Sequence, residues 1–382
     1  MGYTWGETER GVDKRPNQIQ GQQTGARANS VTIEEHKVRP FKEDKRTDHV
    51  SVAFLARAPH KFTENLQAES DVVKQETLKT MATWLLSHPK NKVSQVEAGA
   101  VTVLTQLISS PDALVRERTA QVLALLATVQ QGIDAMLLTG TVPELLKAMQ
   151  DSKETTRHHV HQTLHRIGEL PAGITAIVAA GGTAMLVAVC KEQISPDALL
   201  TLKACLKDPQ GLSDALDSKA ISVMVAALHD NRQETVLQHA LKNITFLTNP
   251  DAAKKEAIEE GAVAPVTKLL QHTEWPVRSA AASALGSIAL DIEGKKQAME
   301  VGAAESLIAL LRDKNLPVVL LSVRALGVLA EYKRQVLCTP QEGVYRSVFD
   351  KALPQLRLLT SSQDRVLAKS ARDCESLITW RP

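Results

Sequence analysis

The chain has 382 residues, 45 Lys+Arg against 43 Asp+Glu, a formal net charge of +2, and 43% hydrophobic but only 3% aromatic residues. A core of that kind must come from Leu, Val, Ile and Ala, as in packed helices rather than an aromatic-rich sandwich, and so few basic and stacking groups in excess argue against a nucleic-acid partner. No stretch of about 18 apolar residues suggests a membrane span, and four cysteines, Cys190, Cys205, Cys338 and Cys374, without C-x-x-C spacing suggest neither a zinc cage nor a disulfide framework.

In chain order, residues 1–47 come first, with the polar run GVDKRPNQIQGQQTGARANS and no apolar periodicity. They predict an extended, mostly irregular arm, and their composition suits equally a segment that orders against a partner and a solvated tail. The start MGYTWG has Gly6 where N-myristoylation wants Ser or Thr, and it lacks the apolar stretch of a secretory signal. A reduced, cytoplasmic chain is the expectation. Residues 48–63, with Phe54, Leu55 and Phe62, suit a cap over the first exposed unit of a helical array.

From residue 64 to 382 the sequence repeats. After a partial copy, QAESDVVKQETLKTMATWLL, turn glycines stand at Gly99, Gly140 and Gly181, each 41 residues after the last. The frame then slips: Lys219 stands 38 residues on, where Gly is expected, and Gly261 follows 42 later, with Gly302 again at 41 and a weak copy near Gly343. About eight units result. In each, a short helix such as KKEAIEE precedes the Gly, a second such as ESLIALL follows it, and a longer third such as EWPVRSAAASALGSIAL completes the unit. Gly fits the first corner because a tight turn there needs positive φ. Within CLKDPQGLSDALDSKA, Pro209 and Gly211 predict an interrupted third helix and a bend.

Little chemistry is visible. RHHVHQTLHR places His158, His161 and His165 at i, i+3 and i+7, yet no third ligand type completes a metal site, so a polar helix surface is the preferred reading. There is no G-x-S-x-G, no G-x-x-x-x-G-K-[ST] and no G-x-G-x-x-G. No catalytic residue, cofactor, metal or small-molecule substrate is therefore expected.

The units NKVSQVEAGAVTVLTQLI, KKEAIEEGAVAPVTKLL and VRSAAASALGSIA resemble armadillo repeats over roughly residues 64 to 380. The resemblance implies an all-α armadillo solenoid, a right-handed superhelix of three-helix units whose third helices line a concave groove for protein partners. Nuclear-import armadillo receptors hold basic peptides with an Asn two residues after the Leu of each A-L pair and a Trp four residues before it. Those Asn positions here are Leu125, Arg166, Asn243, Ser287 and Val328, of which only Asn243 matches, and the Trp positions hold Gln121, Gln162, His239, Ser283 and Arg324. An import receptor is disfavoured. Trp84 and Trp275 are expected to pack. Arg116, Arg157, Asn243, Arg278 and Arg324, with Arg118 nearby, are the candidate groove residues, the arginines suiting carboxylates or ordinary solvated faces alike.

The entry Phe54, Arg57, Ala58, Lys61, Phe62, Glu64, Leu66 and Gln67, directly before the array, resembles that of the small armadillo proteins of ciliary radial spokes, the group that includes the rhabdoid-tumour-deletion-region protein. This resemblance implies a non-enzymatic scaffold in the spoke stalk or neck of a motile axoneme, with other spoke subunits as partners and a cytoskeletal location. The alternative is a soluble transport or junctional adaptor holding extended peptides in the same groove.

Overall fold

The computed structural model describes residues 57–229, 233–331 and 347–380, and every regular element among them is a helix. The arm 1–47, Phe54 and Leu55 of the expected cap, Cys338 and Gly343 lie outside these residues.

An opening pair, α1 (Ala58–Leu66) and α2 (Asp71–Ser87), supplies the second and third helices of a first unit. Helix α1 runs across the expected boundary between residues 63 and 64. Phe62 is buried in it with Ala58 and Leu66, its ring centroid 5.5 Å from that of Trp84, so this aromatic belongs to the first unit's own core. Six three-helix units follow. They are α3 (Pro89–Glu97), α4 (Ala100–Leu107) and α5 (Ala113–Leu126); α6 (Gln130–Leu138), α7 (Thr141–Ala148) and α8 (Glu154–Ile167); then α9 (Pro171–Ala179), α10 (Gly182–Glu192) and α11 (Pro196–Cys205). The other three are α12 (Pro209–Asp217), α13 (Ala220–His229) and α14 (Glu234–Leu247); α15 (Asp251–Glu259), α16 (Val263–Leu269) and α17 (Trp275–Ile288); α18 (Ile292–Glu300), α19 (Ala303–Leu310) and α20 (Leu316–Ala330). Helices α21 (Leu353–Leu359) and α22 (Arg365–Thr379) close the array. Third helices α2, α5, α8, α11, α14, α17, α20 and α22 pack in that order, each on the next, and one buried aliphatic core runs through all units.

Two sets of glycines fix each unit. Gly99, Gly140, Gly181, Gly261 and Gly302 take φ between 67° and 75° at the corner between first and second helices, and α9 meets α10 at 74° across Gly181. Lys219 makes the same corner at φ 64° despite its Cβ, which costs roughly 1–2 kcal/mol. The second set, not recognised from the sequence, is Gly132, Gly173, Gly211 and Gly294, each the third residue of a first helix. A Cβ there would collide with the carbonyl oxygen of Leu126, Ile167, Cys205 or Ile288 respectively, at the end of the preceding third helix. Where Asn91 takes this place, its Nδ2 donates to the Trp84 carbonyl at 2.7 Å.

The expected interruption at Pro209 and Gly211 is not within a third helix. Pro209 is the first residue of α12, Asp208 accepts from the Gln210 and Gly211 amides, and Gly211 is the close-approach glycine of that unit. The frame slips because α11 has 10 residues where α8 and α14 have 14: about one turn is missing.

Candidate partner-binding face

Helix period and stacking decide which residue of each third helix faces inward. Counting back eight residues from the next unit's first helix gives Val122, Thr163, Thr201, Asn243 and Ala284, and all are fully buried. Asn243 therefore fills the slot of a core residue. Its Nδ2 donates to the Leu199 carbonyl at 3.0 Å and contacts Met224 Sδ at 3.8 Å, so it ties α14 to α11 rather than facing a groove. The A-L pair Ala240-Leu241 misled the motif match because it falls three residues before the register that the other units keep. The surface position in this unit is Phe246, which is half-buried, and the position four residues before it is Lys242 rather than His239. Counting back from Asp251, the start of α15, would have revealed this.

The arginines divide by what they touch. Arg116 Nη1 donates to the carbonyls of Ser110 and Pro111 at 2.9 and 3.0 Å, and its Nε to Asp151 Oδ2 at 2.5 Å. Arg278 repeats the arrangement, with Nη1 on the His272 and Thr273 carbonyls at 2.8 and 2.6 Å and Nε on Asp313 Oδ2 at 2.8 Å. Arg157 grips its own turn at the Asp151 and Ser152 carbonyls, 2.8 and 3.3 Å, without an acid 35 residues on, where Glu192 is exposed at the start of the irregular stretch. These three are clamps within and between units, and Arg118 likewise donates to the Gln75 carbonyl at 2.6 Å. Burial raises the Asp151 and Asp313 carboxyls, but Arg116 and the Lys153 amide, and the Asn315 amide and Arg278, outweigh it and leave both pKa values lowered. Only Arg324 of the five candidates is exposed, beside a cleft of about 750 Å³ between α20 and α22 with Arg365, Lys369 and Asp373. Trp275, expected to pack, is 43% exposed at the start of α17, whereas Trp84 packs as expected.

The histidines do not converge. His158 is exposed and holds Asp197 Oδ2 through Nδ1 at 2.5 Å, while its Nε2 lies 2.8 Å from Gln162 Nε2. His161 is 3% exposed, its Nδ1 has no partner, and burial pushes its pKa down from 6.5 to about 4. Burial also lowers His165, whose Nε2 lies 3.8 Å from Glu169. Among the described residues, no three His, Cys, Asp or Glu groups are placed to hold a metal ion. Cys190, Cys205 and Cys374 are buried free thiols, each pushed up to about 12 by burial.

His161 sets a pH dependence. Its folded pKa is depressed below 6.5, so as pH falls the unfolded chain takes the proton first and folded-state stability held above pH 6.5 is lost on the way to about 4. The loss from this residue is about 3 kcal/mol at 1.36 kcal/mol per unit. Urea melts at pH 7.5 and 4 should show a smaller acid loss in His161→Leu than in the parent chain; equal losses would refute the assignment.

Residues 221–327 match the family of HEAT repeats. An engineered protein solved by a structural genomics consortium is 25% identical with a TM-score of 0.75, covering 85% of this chain and 79% of its own. A designed armadillo repeat protein in complex with the peptide (KR)4 is 22% identical with a TM-score of 0.52, covering 62% of this chain and 99% of its own. These likenesses and the three-helix units establish an armadillo/HEAT-like repeat fold, a scaffold suited to protein–protein interaction. Such repeat-solenoid families are typically non-catalytic.

Proposed function

We propose that this chain is a structural scaffold of a large cytoskeletal complex, without turnover, and that its setting is the radial spoke stalk or neck of a ciliary axoneme. The observation that carries the scaffold reading is the series of eight third helices among the described residues, each packed on the next, a surface built by nearest-neighbour stacking that presents side chains from successive units. Support for the axonemal setting comes from the entry residues Arg57 to Gln67, which resemble those of radial spoke armadillo proteins. In the structure Ala58, Phe62 and Leu66 of this entry are buried, and Lys61 pairs with Glu64 at 3.1 Å. Neighbouring subunits would bind along the third helices and the arm.

Detergent extraction of ciliated cells, then high salt, tests the reading. Retention in the axonemal fraction with spoke subunits is the expected result. Release into the soluble fraction with exchanging cargo would overturn the axonemal setting in favour of an adaptor, the role suggested by the peptide held in the designed armadillo protein.

A further inference from the structure

Several buried or half-buried cations of this array are held by an acid. Arg116 meets Asp151, Arg278 meets Asp313, Lys153 meets Glu117 at 2.7 Å, Lys254 meets Asp251 at 2.7 Å and Lys295 meets Glu331 at 2.9 Å. The ammonium groups of Lys203 near the end of α11, of Lys207 two residues past it, and of Lys242 on the adjoining α14 form no ion pair or side-chain hydrogen bond among the described residues. Instead they act on one another: burial and Lys207 lower the Lys203 pKa, and burial and Lys203 lower that of Lys242. His165 of α8 and His239 of α14 stand among them, both with a buried Nδ1 that has no partner, and burial takes His239 down to about 4. None of the nearby acids is paired with these lysines: Glu169 lies 3.8 Å from both His165 and Arg166, Asp208 caps α12, and Asp197 holds His158.

A folded protein that gathers three ammonium groups without a counter-charge, those of Lys203 and Lys242 on half-buried stems, is left with repulsion and desolvation that an anionic occupant would relieve. We propose that the third-helix face of α8, α11 and α14 binds an acidic segment of a partner protein, with Lys203, Lys207 and Lys242 meeting its carboxylates and Phe246 its apolar side chains. The inference rests on the third helices being the partner-binding face, and it adds the chemistry of what is bound there. Spacing favours an extended peptide. Alternate side chains of an extended chain project about 7 Å apart, and neighbouring packed helices lie about 8–10 Å apart, so successive carboxylates reach lysines on successive units. Nucleic acid fits less well, because three lysines and one ring fall short of the roughly 6–10 phosphate contacts and several stacking platforms that such complexes use. Lys242 and Phe246 lie one turn apart on α14, which sets a cation and an apolar anchor side by side.

The test uses the full chain and a fluorescent octapeptide of alternating Asp and Glu, with a Lys/Arg octapeptide and octathymidylate as comparators, read by anisotropy at low and physiological salt. The acidic peptide should bind in preference to both. Lys203→Glu/Lys242→Glu should weaken it by about tenfold or more, whereas Lys296→Glu, on the exposed surface of α18 beside Glu293, should leave it unchanged. Lys203→Met/Lys242→Met removes the charge without adding one; it should also bind more weakly while melting no lower than the parent chain, which separates lost binding from lost folding. Equal affinity of the parent and both double variants, or tighter binding of octathymidylate, would overturn the proposal. The cell fractionation can fail while the acidic peptide still binds, and the reverse, so the two readings are decided separately.

Discussion

Gly173→Ala is expected to lower stability by about 3 kcal/mol or more, the upper part of the range for overpacked sites. The new Cβ would collide with the Ile167 carbonyl oxygen and approach Ile167 Cγ2 within 2.8 Å. Backbone cannot rotate aside as a side chain can. Relief requires α9 to lift from the end of α8, and that contact lies in the junction between the third unit and the fourth. Because a repeat array is held by nearest-neighbour interfaces, the damage should appear as a lower-stability block beginning at the α8/α9 junction, not as a uniform loss. Gly181→Ala is the control: its αL backbone costs roughly 1–2 kcal/mol, but no atom lies within 4 Å of the new methyl. Urea denaturation with hydrogen exchange distinguishes them, and equal losses in the two variants would contradict the packing argument.

Arg278→Met should cost roughly 3 kcal/mol, because it strands Asp313, whose side chain is 8% exposed, without its cation. Met preserves much of the stem's packing, so the loss is electrostatic and hydrogen-bonded in origin: two turn carbonyls and a carboxylate lose their donors. The Asn315 amide still serves Asp313 at 2.8 Å, which keeps the cost from reaching the top of the range for a broken buried pair. Arg278→Met/Asp313→Leu should recover most of the stability, since removing both charges leaves neither unpaired. A double variant as unstable as the single one would show that the clamp acts through the turn carbonyls alone.

The fold was legible in the glycines because αL corners admit few other residues, and the 41-residue spacing of Gly99, Gly140 and Gly181 repeats that constraint. Even the slip at Lys219 marked a real event, the shortened α11. The same 41-residue spacing links Gly132 to Gly173, so the second ladder was also present in the sequence; it was overlooked because its reason, contact with a carbonyl of the preceding helix, is tertiary. Candidate site residues were less legible. Arg116 and Arg278 resemble free groove cations until Asp151 and Asp313 are seen, each 35 residues on in the turn of the next unit. Asn243 matched a binding motif by a dipeptide that recurs out of register, and burial overrides such matches. Lys203 and Lys242 are 39 residues apart and come to neighbouring helices only because α11 stacks on α14.

The central claim is that partners are held on the third helices. Its most direct test is a photo-crosslinking amino acid placed in the full chain either at Phe246, on the face of α14, or at Leu138, which is 87% exposed at the end of α6. Crosslinks to partner subunits from position 246, weakened by Lys203→Glu/Lys242→Glu, and none from position 138 are the predicted result. Crosslinks from 138 with none from 246 would place the partner on the first helices and contradict the account.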